Sequence, residues 1–203
     1  MNDLSSPAVP PPLAGSIESL AVALRHRDAY TDGHCNRVGL ICQSLGRRCG
    51  MGRAEQPQLA LAARFHDIGK IGIPDRILLR NGPLDADERR LMQTHSERGE
   101  QIFLASRHRH AGGIARLIRH HHEAFDGSGY PDGLRAAQIP LGARILRIAD
   151  SYDAMTSRRP YGRVRSHAEA MQVLRLERGS KIDPELFAEF ERLAPDALGA
   201  TDA

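Results

Sequence analysis

The sequence contains no tryptophan, and aromatic residues make up only 4% of its 203 residues. The core is therefore expected to consist of aliphatic side chains, chiefly leucine, isoleucine and alanine. Every apolar run is much shorter than the roughly 20 residues that a membrane-spanning helix needs, which argues against a membrane protein. The formal net charge is only +3, which argues against a dedicated DNA-binding protein but allows local binding of a small anionic substrate.

Cysteine is also scarce, and Cys35, Cys42 and Cys49 follow one another at intervals of seven residues. On one helix, neighbouring cysteines would lie roughly 10 Å apart along the axis, too far for a disulfide. The spacing does not match a zinc site of the Cys-x-x-Cys type. We predict that the three cysteines act as small apolar residues on one buried stripe of a helix. Free thiols, and a start that lacks the basic and apolar segments of a signal peptide, predict a cytoplasmic location.

No alternating apolar pattern is long enough for a β-strand, whereas many segments repeat apolar residues at helical spacing. The predicted fold class is all-α. Residues 1–15, which include the proline run 10–12, are predicted to form a disordered tail, and residues 16–203 one domain. Helices are predicted from Ser16, from Val38 to about Gly50 after residues 31–33, over 59–66, from Asp85 through His95, and over 112–123, 141–155, 166–178 and 184–193.

A histidine and an aspartate end one of these apolar helices. They are His66 and Asp67, and Lys70 follows one helical turn after the histidine. Imidazole and carboxylate suit borderline metals such as Fe, Mn or Zn. Neighbouring side chains diverge by about 100° on a helix, so the carboxylate would bridge two ions while the imidazole binds one. The alternative is a surface His–Asp pair with a lysine favoured by the helix dipole.

Three successive histidines, 120–122, have no packing rationale, and a helix cannot turn all three inward. We predict that His121 and His122 face a site and that His120 faces out. Asp150 lies within an apolar helix and needs a buried partner, for which a metal is the natural choice. Asp153, one turn later, either supports a ligand or is a simple cap. Enzymes that hydrolyse phosphate esters commonly use two metal ions about 3.5–4 Å apart. The sequence therefore predicts a metallophosphohydrolase.

The segment 126–140 is dense in glycine and proline and is predicted to be a loop. Its Tyr130 offers an aromatic face and a hydroxyl group beside backbone that Gly129 can bring close to a ligand. Loops of this length inside compact domains are more often functional than plain connectors. The later arginines 158, 159, 163 and 165 form either a solvated face or a source of bidentate phosphate contacts.

Together these motifs resemble the HD-GYP family, a branch of the HD-domain metallophosphohydrolases. The family is named for the motifs present here as His66-Asp67 and Gly129-Tyr130-Pro131. The similarity extends from about Asp28 to Pro184. It includes residues 28–34, 66–74, His95, 121–140, 144–150 and 159–161.

The resemblance implies an HD-domain helical bundle extended by C-terminal helices. It also implies a phosphodiesterase that uses two divalent ions, Fe or Mn, to hydrolyse the bacterial messenger cyclic di-GMP to pGpG. Members of the family often continue to GMP, and whether this chain stops at pGpG stays open. Other signalling proteins, such as cyclic di-GMP synthases, are possible partners. By position, the matched metal ligands are His34, His66, Asp67, His95, His121, His122 and Asp150, with Asp67 bridging. The matched catalytic residues are Asp67 and Lys70, and the matched substrate contacts are Lys70, Gly129, Tyr130, Arg159 and Arg163.

The chain departs from the family pattern at two positions. Tyr30 stands where some relatives carry a glutamate that holds a third metal, which favours two ions here. Gly162 stands where a basic residue is common, with Arg163 next, which would weaken one phosphate contact. Two alternative functions stay open: hydrolysis of another cyclic dinucleotide, such as a mixed GMP-AMP one, and a catalytically inert module that senses cyclic di-GMP. The complete set of matched ligands favours activity.

Overall fold

A computed structural model of the protein describes residues 16–27, 30–157 and 163–193, without the side chains of 16, 17 and 30–32. No strand occurs within these ranges, where an isolated bridge pairs Arg178 with Ile182. The all-α prediction is confirmed. The helices are α1 (Ser16–Arg27), α2 (Tyr30–Arg48), α3 (Gln56–Phe65), α4 (Asp75–Leu78), α5 (Ala86–Gln93), α6 (His95–Ala105), α7 (Ala111–His120), α8 (Leu141–Thr156), α9 (His167–Glu177) and α10 (Pro184–Glu191), with 3-10 turns at Ile68–Gly72 and Ala136–Gln138.

None of the helices in the described ranges has the length and apolar character needed to cross a lipid bilayer. The predicted tail, residues 1–15, lies outside the described residues.

The helix boundaries differ from the predicted ones at places that matter for function. The predicted helix from Asp85 through His95 is two helices, because α5 ends at Gln93 and α6 begins at His95. The predicted helix over 112–123 already ends at His120. Helix α2 instead begins earlier than predicted, at Tyr30. The earlier helix ends place His95 and His121 at junctions between elements, where side chains can turn toward a common centre.

The core forms around α2, which packs against α3 and α8, while α6 packs against α7 and the first 3-10 turn. Aliphatic side chains such as Ile41, Leu45 and Ile145 are almost fully buried, as the composition predicts. The few aromatic residues are nevertheless concentrated here, at Phe65, Phe103, Tyr152, Phe187 and Phe190. Scarcity in the sequence therefore does not mean absence from the core.

The three cysteines are free. Cys35 and Cys42 are buried on α2, as predicted, whereas Cys49 follows the end of that helix and is half-buried. The buried stripe therefore holds for two of the three residues.

A glycine contact brings the first 3-10 turn against the start of α6. A Cβ atom on Gly69 would lie 1.9 Å from the backbone oxygen of His95 and 2.6 Å from the nitrogen of Gly99. Any side chain at this position would push the turn away from α6. The glycine thus holds Asp67 and Lys70, which flank it, next to His95.

Two of the later helices begin with well-formed caps. Asp85 and Glu88 form the predicted capping box at the start of α5, and Ser166 and Glu169 form another at the start of α9. These caps fix where the helices start. None of these capping residues belongs to the groups of clustered ligand side chains, so the caps serve the scaffold.

Candidate metal centre

All seven predicted ligand side chains converge in the interior of the protein. Their donor atoms form groups in which every atom lies within 4.8 Å of the others. We call one group, His34, His66 and Asp150, the carboxylate half, and another group, His95, His121 and His122, the imidazole half. The two halves come from the turns after α3 and α7 and from residues on α2, α6 and α8.

Asp67 lies between the two halves. Its Oδ2 atom is 3.6 Å from His66 Nε2, and its Oδ1 atom is 3.7 Å from His95 Nε2. One carboxylate oxygen thus points to each half. This placement is what the predicted bridging role requires, although the bridge itself stays a prediction.

Three of the histidines have their outer nitrogen fixed by the backbone. Nδ1 lies 2.8 Å from the Ala63 oxygen for His66, 2.8 Å from the Met92 oxygen for His95 and 2.6 Å from the Ile118 oxygen for His121. A carbonyl oxygen only accepts, so Nδ1 carries the proton and donates it. The inner nitrogen, Nε2, of the neutral ring then presents a lone pair to the centre.

The inner nitrogens lie so close together that their lone pairs would repel each other without a cation between them. His95 Nε2 and His121 Nε2 are 3.3 Å apart, as are His34 Nε2 and His66 Nε2. Since Nδ1 holds the proton in both His95 and His121, two lone pairs face each other across that distance. A cation bound between the rings removes the repulsion, so the described residues fit a metal ion on their own geometry.

The carboxylate half is supported by a second, buried carboxylate. His34 Nδ1 donates to Asp153 Oδ2 at 2.7 Å, and Arg37 donates to both Asp153 oxygens at 2.6 and 3.0 Å. Asp153 is only 2% exposed. A ligand ring that donates its outer N–H to a carboxylate is a common arrangement behind metals. Asp153 therefore holds the predicted ligand His34 and is not a simple cap.

Electrostatics distinguish the two halves sharply. Burial disfavours charge on His34, but Asp150 and Asp153 outweigh it and raise the pKa of His34 to about 9. Burial and Asp67 act on His66 in the same opposed way, and its pKa also rises to about 9.

In the imidazole half the balance is reversed. Burial, with help from the charge on Lys70, lowers the pKa of His95 to about 4 in spite of Asp67. Burial also holds the pKa of His121 and of His122 well below the ordinary range. The carboxylate half therefore attracts positive charge, while the imidazole half keeps its rings neutral and able to donate lone pairs.

Lys70 contacts the central carboxylate directly. Its Nζ atom donates to Asp67 Oδ2 at 2.6 Å, and its side chain is 23% exposed. Burial would raise the pKa of Asp67, but Lys70 and His66 outweigh burial and hold that pKa well below its usual range. Asp67 is therefore ionised, and a partly exposed cation lies at the edge of the site.

His120 does not face out, contrary to the prediction. It is 7% exposed, and its Nε2 atom lies 2.9 Å from Asp132 Oδ2. Arg119 donates to both Asp132 oxygens, and Glu123 accepts from the backbone N–H groups of Asp132 and Leu134. These contacts fasten the loop to the end of α7. The three-histidine pattern cannot reveal them, because the acceptor for His120 comes twelve residues later.

The Gly129–Pro131 motif lies against the imidazole half. A Cβ atom on Gly129 would lie 2.1 Å from the backbone nitrogen of Ala124, so only glycine allows this close packing. The Tyr130 ring lies 4.9 Å from the His122 ring at an interplanar angle of 32°, and the peptide bond to Pro131 is cis. The tyrosine ring therefore covers one side of the imidazole half.

The predicted basic contacts are less well placed. Arg159, together with the departure at Gly162, lies outside the described residues, and so does the side chain of Tyr30. Arg163 is described, with a side chain that is 81% exposed and pairs with Glu169 at 2.7 Å. That pair would have to open for Arg163 to reach a substrate. The substrate roles of both arginines stay predictions.

A sequence model of the family described as HD domain matches residues 18–186. A cyclic di-GMP phosphodiesterase from Thermotoga maritima is 38% identical over 177 residues, which are 87% of this chain and 48% of that protein. A 3'3'-cGAMP-specific phosphodiesterase from Vibrio cholerae is 36% identical over 170 residues, which are 84% of this chain and 33% of that protein. The chain thus spans about half, or less, of the length of these relatives.

Solved structures support the same fold. The cyclic GMP-AMP specific phosphodiesterase V-cGAP3 from V. cholerae matches 89% of this chain and 49% of its own, with a TM-score of 0.69 and 22% identity. The HD domain of the L. monocytogenes phosphodiesterase PgpH matches 88% of this chain and 94% of its own, with a TM-score of 0.60 and 15% identity. At these identities the likeness concerns the helical architecture alone.

Proposed function

The chain belongs to the HD domain family, and on that basis we propose that it is a metal-dependent phosphodiesterase for cyclic di-GMP. The observation that carries the proposal is the convergence of the carboxylate half and the imidazole half on either side of Asp67. Relatives with more than a third of their aligned residues identical are named as phosphodiesterases for cyclic dinucleotides. The HD-GYP motifs in the sequence agree with this family.

We propose further that each half holds one divalent ion and that Asp67 contributes to both. The donors are imidazole nitrogens and carboxylate oxygens, a set that suits iron or manganese. When bound, such ions supply a Lewis acid and a source of activated water at neutral pH. The support comes from the short distance between the Nε2 atoms of His95 and His121, because neither of these two nitrogens carries a proton.

The protein's own side chains have separate tasks in this proposal. Asp153 and the backbone carbonyls hold the imidazole rings with Nε2 directed inward. Lys70 holds a positive charge beside Asp67, where it stabilises negative charge that develops on the phosphoryl oxygens. Tyr130 offers a ring face for a nucleobase next to His122. Substrate contacts from Gly129, Arg159 and Arg163 stay predictions.

A second candidate is the mixed cyclic GMP-AMP dinucleotide. It is favoured by the Vibrio cholerae relatives, which carry that substrate in their names. The third reading, an inert sensing module, has less support because every matched ligand residue is present and its donor atoms cluster with those of the others.

The test is incubation of metal-loaded protein with cyclic di-GMP and, in parallel, with 3'3'-cGAMP and cyclic di-AMP, followed by chromatography of the products. We expect cyclic di-GMP to be converted to pGpG and a chelator to stop the reaction; the chromatogram also decides whether hydrolysis continues to GMP. Faster turnover of the mixed dinucleotide would favour the second candidate. Protein of verified metal content that binds a dinucleotide and leaves it intact would favour the inert module.

Cysteines that are free in the structure support a location in a reducing compartment such as the cytoplasm. Association with signalling proteins such as cyclic di-GMP synthases stays a prediction.

A further inference from the structure

Arg147 is a half-buried cation whose Nε–H group lies in the interior. It lies on α8 within the apolar run 145–149, and its Nε atom is buried and has no hydrogen-bond partner. Within residues 16–27, 30–157 and 163–193, no carboxylate forms a salt bridge with it. Burial lowers the pKa of Arg147, and the nearby charges of Glu177 and Asp150 act in the opposite direction. A buried N–H group without a hydrogen-bond partner is costly. The arrangement therefore points to an anion that binds from outside the chain.

Other half-buried arginines of the protein are paired. Arg144, one turn earlier on the same helix, donates to Asp183 at 2.5 Å, and Arg119 donates to Asp132 at 2.7 Å. Arg37 likewise holds Asp153. The lack of a partner at Arg147 is thus not a general property of arginines in this fold.

The position of Arg147 places it beside the metal centre. It precedes Asp150 by three residues on α8, so the two side chains lie on the same face of the helix, about one turn apart. Burial is the main influence that lowers the pKa of His122, followed by His121 and His95, and the charge of Arg147 adds to them. The guanidinium is therefore near the imidazole half and near Tyr130, whose pKa it also influences.

We infer that Arg147 binds the phosphate group of the cyclic dinucleotide that is not being hydrolysed. This rests on the proposed function. A cyclic dinucleotide carries two phosphates, and the metal centre with Lys70 accounts for only one of them. The guanidinium fork matches phosphate oxygens in shape and charge. An offset of one helical turn, about 5 Å along α8 from Asp150, separates the second contact from the reacting one.

The inference predicts selectivity for substrates with two phosphates. The test uses Arg147→Met, which keeps the apolar stem and removes the charge, and Arg147→Lys, which keeps the charge without the fork. Arg116→Met, at an exposed position on α7, is the matched control for the loss of one positive charge. Each protein is assayed with cyclic di-GMP and with bis(p-nitrophenyl) phosphate, a diester with a single phosphate, and its thermal unfolding is measured without metal.

We expect Arg147→Met to lower kcat/KM for cyclic di-GMP about tenfold or more, as for loss of a charge-assisted contact. Turnover of bis(p-nitrophenyl) phosphate should be unchanged, because that substrate has no second phosphate. The metal-free variant should unfold at a higher temperature than the wild type, since a buried N–H group without a hydrogen-bond partner is gone. Arg147→Lys should lose less, and Arg116→Met should show none of these changes.

Equal losses on both substrates, or a lower unfolding temperature for Arg147→Met, would overturn the inference and assign Arg147 to the fold or the metal centre. Unchanged kcat/KM for cyclic di-GMP would also overturn it. Failure of the proposed function looks different: the wild type itself would then hydrolyse no cyclic dinucleotide, and the inference would fall with it. When the wild type is active, the ratio of variant to wild type on the two substrates decides.

Discussion

The carboxylate half and the imidazole half both use histidine, but the protein supports the rings in different ways. In the imidazole half, backbone carbonyls hold His95 and His121. In the carboxylate half, a backbone carbonyl holds only His66, whereas the buried Asp153 holds His34, and Arg37 holds Asp153. Without ions, one half raises the pKa of its rings and the other lowers it. The carboxylate half thus favours any positive charge, whether a proton or a metal ion. The imidazole half instead keeps its rings neutral, and a metal ion would relieve the repulsion between their lone pairs.

The largest effect is expected for Asp67→Ala, which removes the group shared by the halves. Loss of a carboxylate that faces both His66 and His95 should release both ions and lower kcat about a thousandfold or more, because a metal centre supplies several kcal/mol. Elemental analysis and turnover of cyclic di-GMP measure the two effects. The helical circular dichroism should be unchanged. Wild-type metal content in the variant would show that the halves do not depend on Asp67.

Substitution of one ligand in each half sharpens the comparison further. Asp150→Ala should remove the ion of the carboxylate half, and His122→Ala that of the imidazole half, because each side chain belongs to only one group. Native mass spectrometry of the reconstituted variants should find about one ion per chain in each, from about two in the wild type. Complete loss of metal in both variants would mean that the ions bind only together.

Asp153→Asn is expected to weaken the carboxylate half alone. The amide can no longer support His34 as an anion, and removal of such a partner typically costs about 10–100-fold in metal affinity. Competition with a chromogenic chelator measures the metal affinity of each half, in the variant and in the wild type. Arg37→Gln leaves Asp153 in place and should have a smaller effect. Equal weakening of both ions would contradict separate support.

The pH dependence of the metal-free protein is expected to differ between the halves. The pKa of folded His95, about 4, lies below its ordinary 6.5, so its contribution is present above pH 6.5 and is lost between 6.5 and 4. The pKa of folded His34, about 9, lies above 6.5, so its contribution is present below pH 6.5 and is lost as the pH rises through 9.

Urea unfolding of chelated protein at pH 5, 7 and 9 tests both signs. His95→Asn should reduce the loss of unfolding free energy between pH 7 and 5 by about 2 kcal/mol, and His34→Asn should instead reduce the loss between pH 7 and 9. The same acid sensitivity in His95→Asn as in the wild type would refute the lowered pKa.

Much of the site can be predicted from the sequence, because the residue types that bind metals are chemically distinctive. They can be recognised even though the sequence does not show how close they lie in the fold. The helical period of the apolar residues predicts the all-α fold, and adjacent ligand residues such as His66 and Asp67 mark the centre. The breaks at Thr94 and after His120 are not visible, because apolar spacing continues past them. Tertiary contacts decide those helix ends.

The supporting residues could be predicted only in part. The role of Asp153 stays open in the sequence, because its partners His34 and Arg37 come from a helix more than a hundred residues earlier. The sequence does not indicate a role for Arg147 either, since an arginine in an apolar helix ordinarily extends its charged end to solvent. What is missing from the sequence in each case is the identity of the partner.

The Nδ1 hydrogen bonds of the ligand histidines also determine where helices stop. They reach Ala63, Met92 and Ile118, which lie in the last turns of α3, α5 and α7. The final four carbonyls of a helix have no partner within it, so each ring caps a helix while it presents Nε2 to the centre. One residue inserted into a last turn would rotate the ring by about 100° and leave a carbonyl unpaired. Changes in the length of these three helices are therefore tolerated only at their opposite ends.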